Sequence, residues 1–233
     1  MNKEKKNFSI EFILTSICNQ GCEYCYLYKH GKELYPPAAN NFDNILKNFP
    51  ILLDWLDEQG FEYENYDLFT GEYFNMPIWE DIFEIIYNRE KKRVEEEGVI
   101  SPRFISIPTN MSFLMDPVKT EKVEKWINRF RAINSDISLS CSVEGPEELE
   151  ALERPLKVGK RKTEENFYKK FAEFRRKYTL ASHPMITRNF VKNYKTNYDW
   201  WIDTTIENNI TQYNGNGKEV YCIPMFLEVR DAE

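Results

Sequence analysis

With 233 residues, 42% of them hydrophobic and 30% charged, the chain is long enough to bury the core of one α/β domain and has an ordinary soluble composition. A formal net charge of −7 argues against a nucleic-acid groove as the main surface, and no apolar run approaches a membrane span. The stretch from Met1 to Lys6 lacks the apolar core of a signal peptide, so the expectation is a single cytoplasmic domain over 1–233 whose five cysteines are ligands or thiols rather than disulfides.

Strand-like and helix-like segments alternate along the chain. Phe8 to Thr15 is rich in β-branched and aromatic residues and ends at a cysteine-bearing loop. From Asn41 to Gln59, apolar residues recur at helical spacing (Phe42, Ile45, Leu46, Phe49, Leu52, Leu53, Leu56), and Pro50 predicts a break into two short helices. Tyr66 to Thr70 reads as a second strand, followed by a helix capped by Asn75 and running towards Gly98. Its charge-alternating end, Glu90 to Glu97, reads as a solvated face. Arg103 to Pro108 is a third strand, and Asp116-Pro117 opens a helix with Val123, Trp126, Ile127 and Phe130 on one face. Ile137 to Val143 is a fourth strand. Thr163 caps a helix carrying Phe167, Phe171, Phe174 and Tyr178. Leu180 to Thr187 is a fifth strand, ending at Arg188 and Asn189, Tyr198 to Asn208 is a helix, and Tyr221 to Val229 is a sixth strand. Such alternation predicts a parallel sheet with right-handed crossovers, and ligands at the C-terminal ends of its strands. Periodicity does not separate an open sheet from a curved barrel.

The loop after the first strand reads Ile17-Cys18-Asn19-Gln20-Gly21-Cys22-Glu23-Tyr24-Cys25-Tyr26, a CxxxCxxC run. Three thiolates on one short loop can converge on a single metal centre, and Gly21 eases the tight turn. Three cysteines holding a [4Fe-4S] cluster leave one iron open, as an open position is left on a catalytic zinc. Zinc held by these cysteines with His30, or three buried thiols holding nothing, are the competing readings. With only His30 and His183 in the chain, a histidine-based hydrolase is hard to build, and no P-loop or complete GxGxxG fingerprint is present.

The cysteine spacing and the aromatic Tyr24 before the last cysteine resemble the radical S-adenosylmethionine (radical SAM) family. The resemblance implies an incomplete (β/α)6 TIM-like barrel of parallel strands, its sixth helix missing or beyond the chain end. It also implies a [4Fe-4S] cluster on Cys18, Cys22 and Cys25 whose open iron is chelated by SAM. One electron from an external reductant then cleaves SAM to a 5'-deoxyadenosyl radical that abstracts hydrogen from a substrate. Tyr24 is expected to pack near the adenine through its backbone.

Further motifs match that family at the strand ends. Thr70-Gly71-Glu72 is similar to its Gly-Gly-Glu motif, which holds the SAM amino group, with Thr70 replacing the first glycine. Ser142-Val143-Glu144-Gly145-Pro146 resembles the Ser-x-Asp-Gly-Pro motif of the peptide-modifying branch that includes anaerobic sulfatase maturases and SPASM-type enzymes, with Glu144 in place of Asp. In that branch the serine contacts SAM, the acid contacts the ribose, and an arginine at the position of Arg154 takes the SAM carboxylate. Thr109-Asn110-Met111 resembles Thr-Asn-Gly, and Leu227 is a weak match to a residue lining the adenine. The branch favours a peptide or protein side chain as substrate; a nucleotide or small metabolite, and a non-catalytic Fe–S or zinc module, are the alternatives.

Overall fold

The computed structural model describes residues 6–25, 27, 41–69, 71–155, 166–178, 180–213 and 218–221. The fold is α/β with parallel strand pairing, and the chain divides into two compact units. The first comprises Met1–Ile17, Lys32–Pro108 and Glu121–Ser138; the second comprises Cys18–Gly31, Thr109–Thr120 and Leu139–Glu233.

In the first unit, β1 (Lys6–Asn7) pairs in parallel with β2 (Phe61–Glu62), and β3 (Asn65–Asp67) pairs in parallel with β4 (Phe104–Thr109), whose last residue enters the second unit. The predicted strand Phe8–Thr15 forms a single parallel bridge, Glu11 to Asp67, with Phe12 N donating to Asp67 O at 2.7 Å. Its alternation survives: Phe12 and Leu14 are buried while Glu11 and Ile13 are exposed. Helix α1 (Phe42–Glu58) is capped by Asn41, whose side chain accepts from Asn44 N, and it runs unbroken through Pro50. Two helices were expected there. The buried residues Phe49, Leu53 and Leu56 lie on both sides of the proline, so burying that stripe outweighs the lost hydrogen bond. Helix α2 (Trp79–Glu96) starts later than an Asn75 cap implies, because Tyr73–Asn75 forms a 3-10 turn of its own. Phe83 and Tyr87 of α2 pack against Trp126 and Phe130 of α3 (Pro117–Arg131) with ring centroids 5.5–6.3 Å apart, all edge to face.

Strand β5 (Ile137–Cys141) follows, and its partner in the second unit is β6 (Leu180–Ser182), paired in parallel with Leu139 opposite Leu180. Between these strands run α4 (Glu147–Glu153) and α5 (Asn166–Lys177); the expected Thr163 cap lies outside the described residues. Leu180–Thr187 is shorter as a strand than expected, because Thr187 turns the chain by accepting from Phe190 N and so caps α6 (Arg188–Lys192). Helix α7 (Tyr194–Glu207) buries Trp201 completely, with Trp200 against it at 5.0 Å and Phe171 at 6.3 Å. Strand β7 (Thr211–Tyr213) pairs antiparallel with β8 (Glu219–Tyr221), which includes Tyr221, the first residue of the expected sixth strand. Residues 222–229, including Leu227, lie outside the described residues.

Candidate functional site

The cysteine loop belongs to the second unit and is held from two sides. On one side, Gly21 N donates to Pro155 O at 2.8 Å and Glu23 N to Glu153 O at 3.3 Å, which staples the loop to the end of α4. On the other, Asn110 Nδ2 donates to Asn19 Oδ1 at 2.7 Å, Asn19 Nδ2 to Ser112 Oγ at 3.0 Å, and Ser112 N to Asn110 Oδ1 at 2.9 Å. This ring of side chains gives Asn110 a defined task, positioning the loop through Asn19. Met111, where the resembled motif has glycine, sits at φ 60° with its side chain buried, so the left-handed turn is kept at the steric cost a non-glycine residue bears there.

Within the loop, Cys25 N donates to Cys22 O at 3.1 Å and Gln20 N to Cys18 Sγ at 3.4 Å. Cys22 is buried, and Cys18 and Cys25 are half-buried. Among the described residues no group of three or more His, Cys, Asp or Glu side chains is drawn together as a metal-holding set. His30, the candidate zinc ligand, lies outside the described residues, as do Tyr26 and Thr70.

The Ser142–Pro146 segment leaves β5 through Ser142 N, which donates to Thr109 O at 2.8 Å. Gly145 has φ 153°, a positive value that favours glycine. Glu144 is fully buried and is the hub of the site. Its Oε1 accepts from the Tyr24 hydroxyl and from Arg154 Nη1 (3.1 Å), and its Oε2 accepts from Met185 N at 2.5 Å. Its backbone is fixed as well: Glu144 N donates to Glu150 Oε2 at 2.8 Å, and its carbonyl accepts from Trp201 Nε1 at 3.1 Å. Arg154 donates to the Tyr24 hydroxyl at 2.5 Å and, through Nε, to Gln20 Oε1 at 3.1 Å, with Glu150 Oε1 3.8 Å away. Burial pushes the Glu144 carboxyl above its ordinary range, with Glu150 adding to the effect and Arg154 opposing it. Burial likewise pushes the Tyr24 phenol far up, so Tyr24 is a neutral donor. Tyr24 thus joins this network through its side-chain hydroxyl.

Gly71 and Glu72 belong to the first unit. Gly71 N donates to Thr15 O at 3.0 Å and Glu72 N to Ile17 O at 2.7 Å, which fixes them to the residues immediately before Cys18. A Cβ at Gly71 would fall 2.3 Å from Ile17 O, so only glycine fits. Glu72 is buried.

Four residues of these networks were not singled out from the sequence. Asn19 and Gln20 sit inside the cysteine motif, where attention goes to the sulfurs. Glu150 precedes Arg154 by four residues, a helical pairing distance that is a usable signal. Glu153 accepts from Thr187 Oγ1 (2.7 Å) and Asn189 Nδ2 (2.8 Å), so Asn189 braces α4 from α6 instead of ending a strand.

No family model and no curated protein matches the sequence. Among solved structures the chain is similar to native anSMEcpe, an anaerobic sulfatase-maturating enzyme, with bound AdoMet and Kp18Cys peptide: TM-score 0.54 and 16% identity over 96% of this chain and 50% of that one. It is similar to the same enzyme with AdoMet and Cp18Cys peptide (TM-score 0.53, 18% identity, 95% and 55%) and with AdoMet alone (0.53, 16%, 95% and 51%). The likeness is one of fold, and the chain spans about half the length of these proteins.

Proposed function

We propose that the chain is the core of a radical SAM enzyme, an incomplete (β/α)6 barrel that modifies a peptide or protein side chain. The reading is carried by one conjunction. A CxxxCxxC loop is braced by buried polar networks, in a chain whose fold over 95–96% of its length is that of structures binding AdoMet and, in two of them, a peptide.

The donor set fits a [4Fe-4S] cluster: three soft thiolates on one loop suit iron–sulfur chemistry. The buried Gln20 amide of that loop, whose Nε2 has no partner among the described residues, fits a bound sulfur-rich group. Cys18, Cys22 and Cys25 would hold the cluster, which when bound supplies one electron to SAM and so starts radical chemistry. Gly71 and Glu72 are the candidates for the SAM amino group, and Thr70 and Leu227 stand as expectations from the resemblance alone. Arg154 is a planar donor fork suited to a carboxylate. It already donates to Glu144, Tyr24 and Gln20, so those three residues aim it. Glu144 is the candidate for the SAM ribose, Ser142 is a candidate for a contact to SAM, and Asn110 acts by setting the loop through Asn19. The electron comes from an external one-electron reductant.

Anaerobic reconstitution tests the proposal. The expected result is about four irons and four sulfides per chain. Stoichiometric zinc in place of iron would overturn it.

A further inference from the structure

Gln20 is 2% exposed, and the two ends of its amide differ. Oε1 accepts from Arg154 Nε at 3.1 Å and faces Cys22 Sγ at 3.9 Å. Nε2 is buried and has no hydrogen-bond partner among the described residues. The assignment of the two ends is not arbitrary: a guanidinium nitrogen only donates, so the end facing Arg154 must be the oxygen. A buried amide N–H without an acceptor costs stability unless something accepts from it in the working state.

We propose that Gln20 Nε2 donates a hydrogen bond to a sulfur of the bound cluster and thereby raises the cluster's reduction potential. The inference rests on the cluster reading above. Ligation strips the proton from Cys22, so its sulfur stops donating towards Oε1 and becomes an acceptor. The loop then contains a buried sulfur that accepts and a buried amide that donates. Arg154 keeps hold of Oε1, which leaves Nε2 as the end available to sulfur. When the cluster gains one electron, negative charge grows on its sulfurs, and an N–H donor stabilises the reduced state more than the oxidised one. The residue does not transfer protons or electrons; it sets how easily the external reductant can charge the cluster.

The test uses Gln20→Met, which keeps the length and removes the amide without adding charge, and Gln20→Glu, which keeps an oxygen for Arg154 Nε and replaces the donor with a carboxylate oxygen. Wild type and both variants are reconstituted anaerobically, assayed for iron, and titrated with dithionite while the reduced cluster is followed by electron paramagnetic resonance. At the wild-type midpoint potential, the reduced-to-oxidised ratio is expected to fall about tenfold in both variants at unchanged iron content, equivalent to about 59 mV for a one-electron couple. Ratios within twofold of wild type in both variants would overturn the role of Gln20 while leaving the cluster reading intact. Loss of iron from both variants would also overturn it, since a tuning donor is not a ligand. Failure of the wild-type chain to take up iron would remove the cluster reading itself, and this inference with it.

Discussion

Among the described residues, Glu90 in the first unit and Glu144 in the second have no exposed surface, and their partners differ in kind. In the first unit, Glu90 accepts from the Tyr66 hydroxyl (2.6 Å), Arg93 Nη1 (2.7 Å) and Arg103 N (2.9 Å), while Arg103 lies 3.7 Å over the Tyr63 ring. Those partners lie on α2 itself, on β3 and just before β4, so the network ties a helix to the sheet. In the second unit, Glu144 takes its bonds from Tyr24 of the cysteine loop, from Arg154 and from Met185 N. That network ties the cysteine loop to a cation and leaves the Gln20 amide nitrogen unsatisfied among the described residues. The lesson is that similar buried Glu–Arg–Tyr chemistry can tie a helix to a sheet in one place and hold the cysteine loop in another. What the network anchors tells them apart; its composition does not.

That contrast can be broken experimentally. The largest effect is expected from Cys22→Ala, which should abolish iron retention and SAM cleavage while moving the urea midpoint of the iron-free protein little. Retained iron would refute the ligand assignment. Glu90→Ala strands buried partners and should cost about 3–5 kcal/mol in urea unfolding, with iron content per folded chain unchanged. Arg154→Ala should cost a similar amount, because Glu144 is left buried without its cation, and should also weaken AdoMet binding at least about tenfold by equilibrium dialysis. If Glu90→Ala weakened AdoMet binding equally, the division between architecture and site would fail. Gly71→Ala forces a Cβ onto Ile17 O and should cost about 1–3 kcal/mol or more, again measured by urea unfolding.

The smallest effect is expected from Glu84→Gln. Two hydrogen bonds from Arg129, at 2.8 and 3.1 Å, hold the Glu84 carboxyl below its ordinary range. A depressed carboxyl adds stability above its unfolded pKa and loses it as pH falls through the folded pKa. Because the pair is largely solvent-exposed, the variant should lose less than about 0.5 kcal/mol near neutrality. Its urea midpoint should converge with wild type in acid.

Much of this arrangement was legible in the sequence. The apolar stripes of α3 and α5 recur at helical spacing, and the Ser-x-Glu-Gly-Pro motif follows directly on β5. Other features were hidden because they depend on residues distant in the chain. Pro50 signals a break locally, yet Phe49 and Leu53 bury the helix on either side of it. Glu90 lies in a run of charges that looks solvated until Tyr66 and the residues entering β4 close over it. The antiparallel pairing of Thr211–Tyr213 with Glu219–Tyr221 lies ahead of the expected sixth strand and was not among the expected elements. In the site, the motif residues were visible, but the direction of their bonds was not. Tyr24 bonds through its hydroxyl, Asn110 bonds Asn19, and Glu144 and Arg154 bond each other.

The most direct measurement is product analysis of the anaerobically reconstituted chain treated with dithionite and S-adenosylmethionine. Formation of 5'-deoxyadenosine that disappears with Cys22→Ala is the predicted result. A fully iron-loaded chain that leaves S-adenosylmethionine intact would contradict the account.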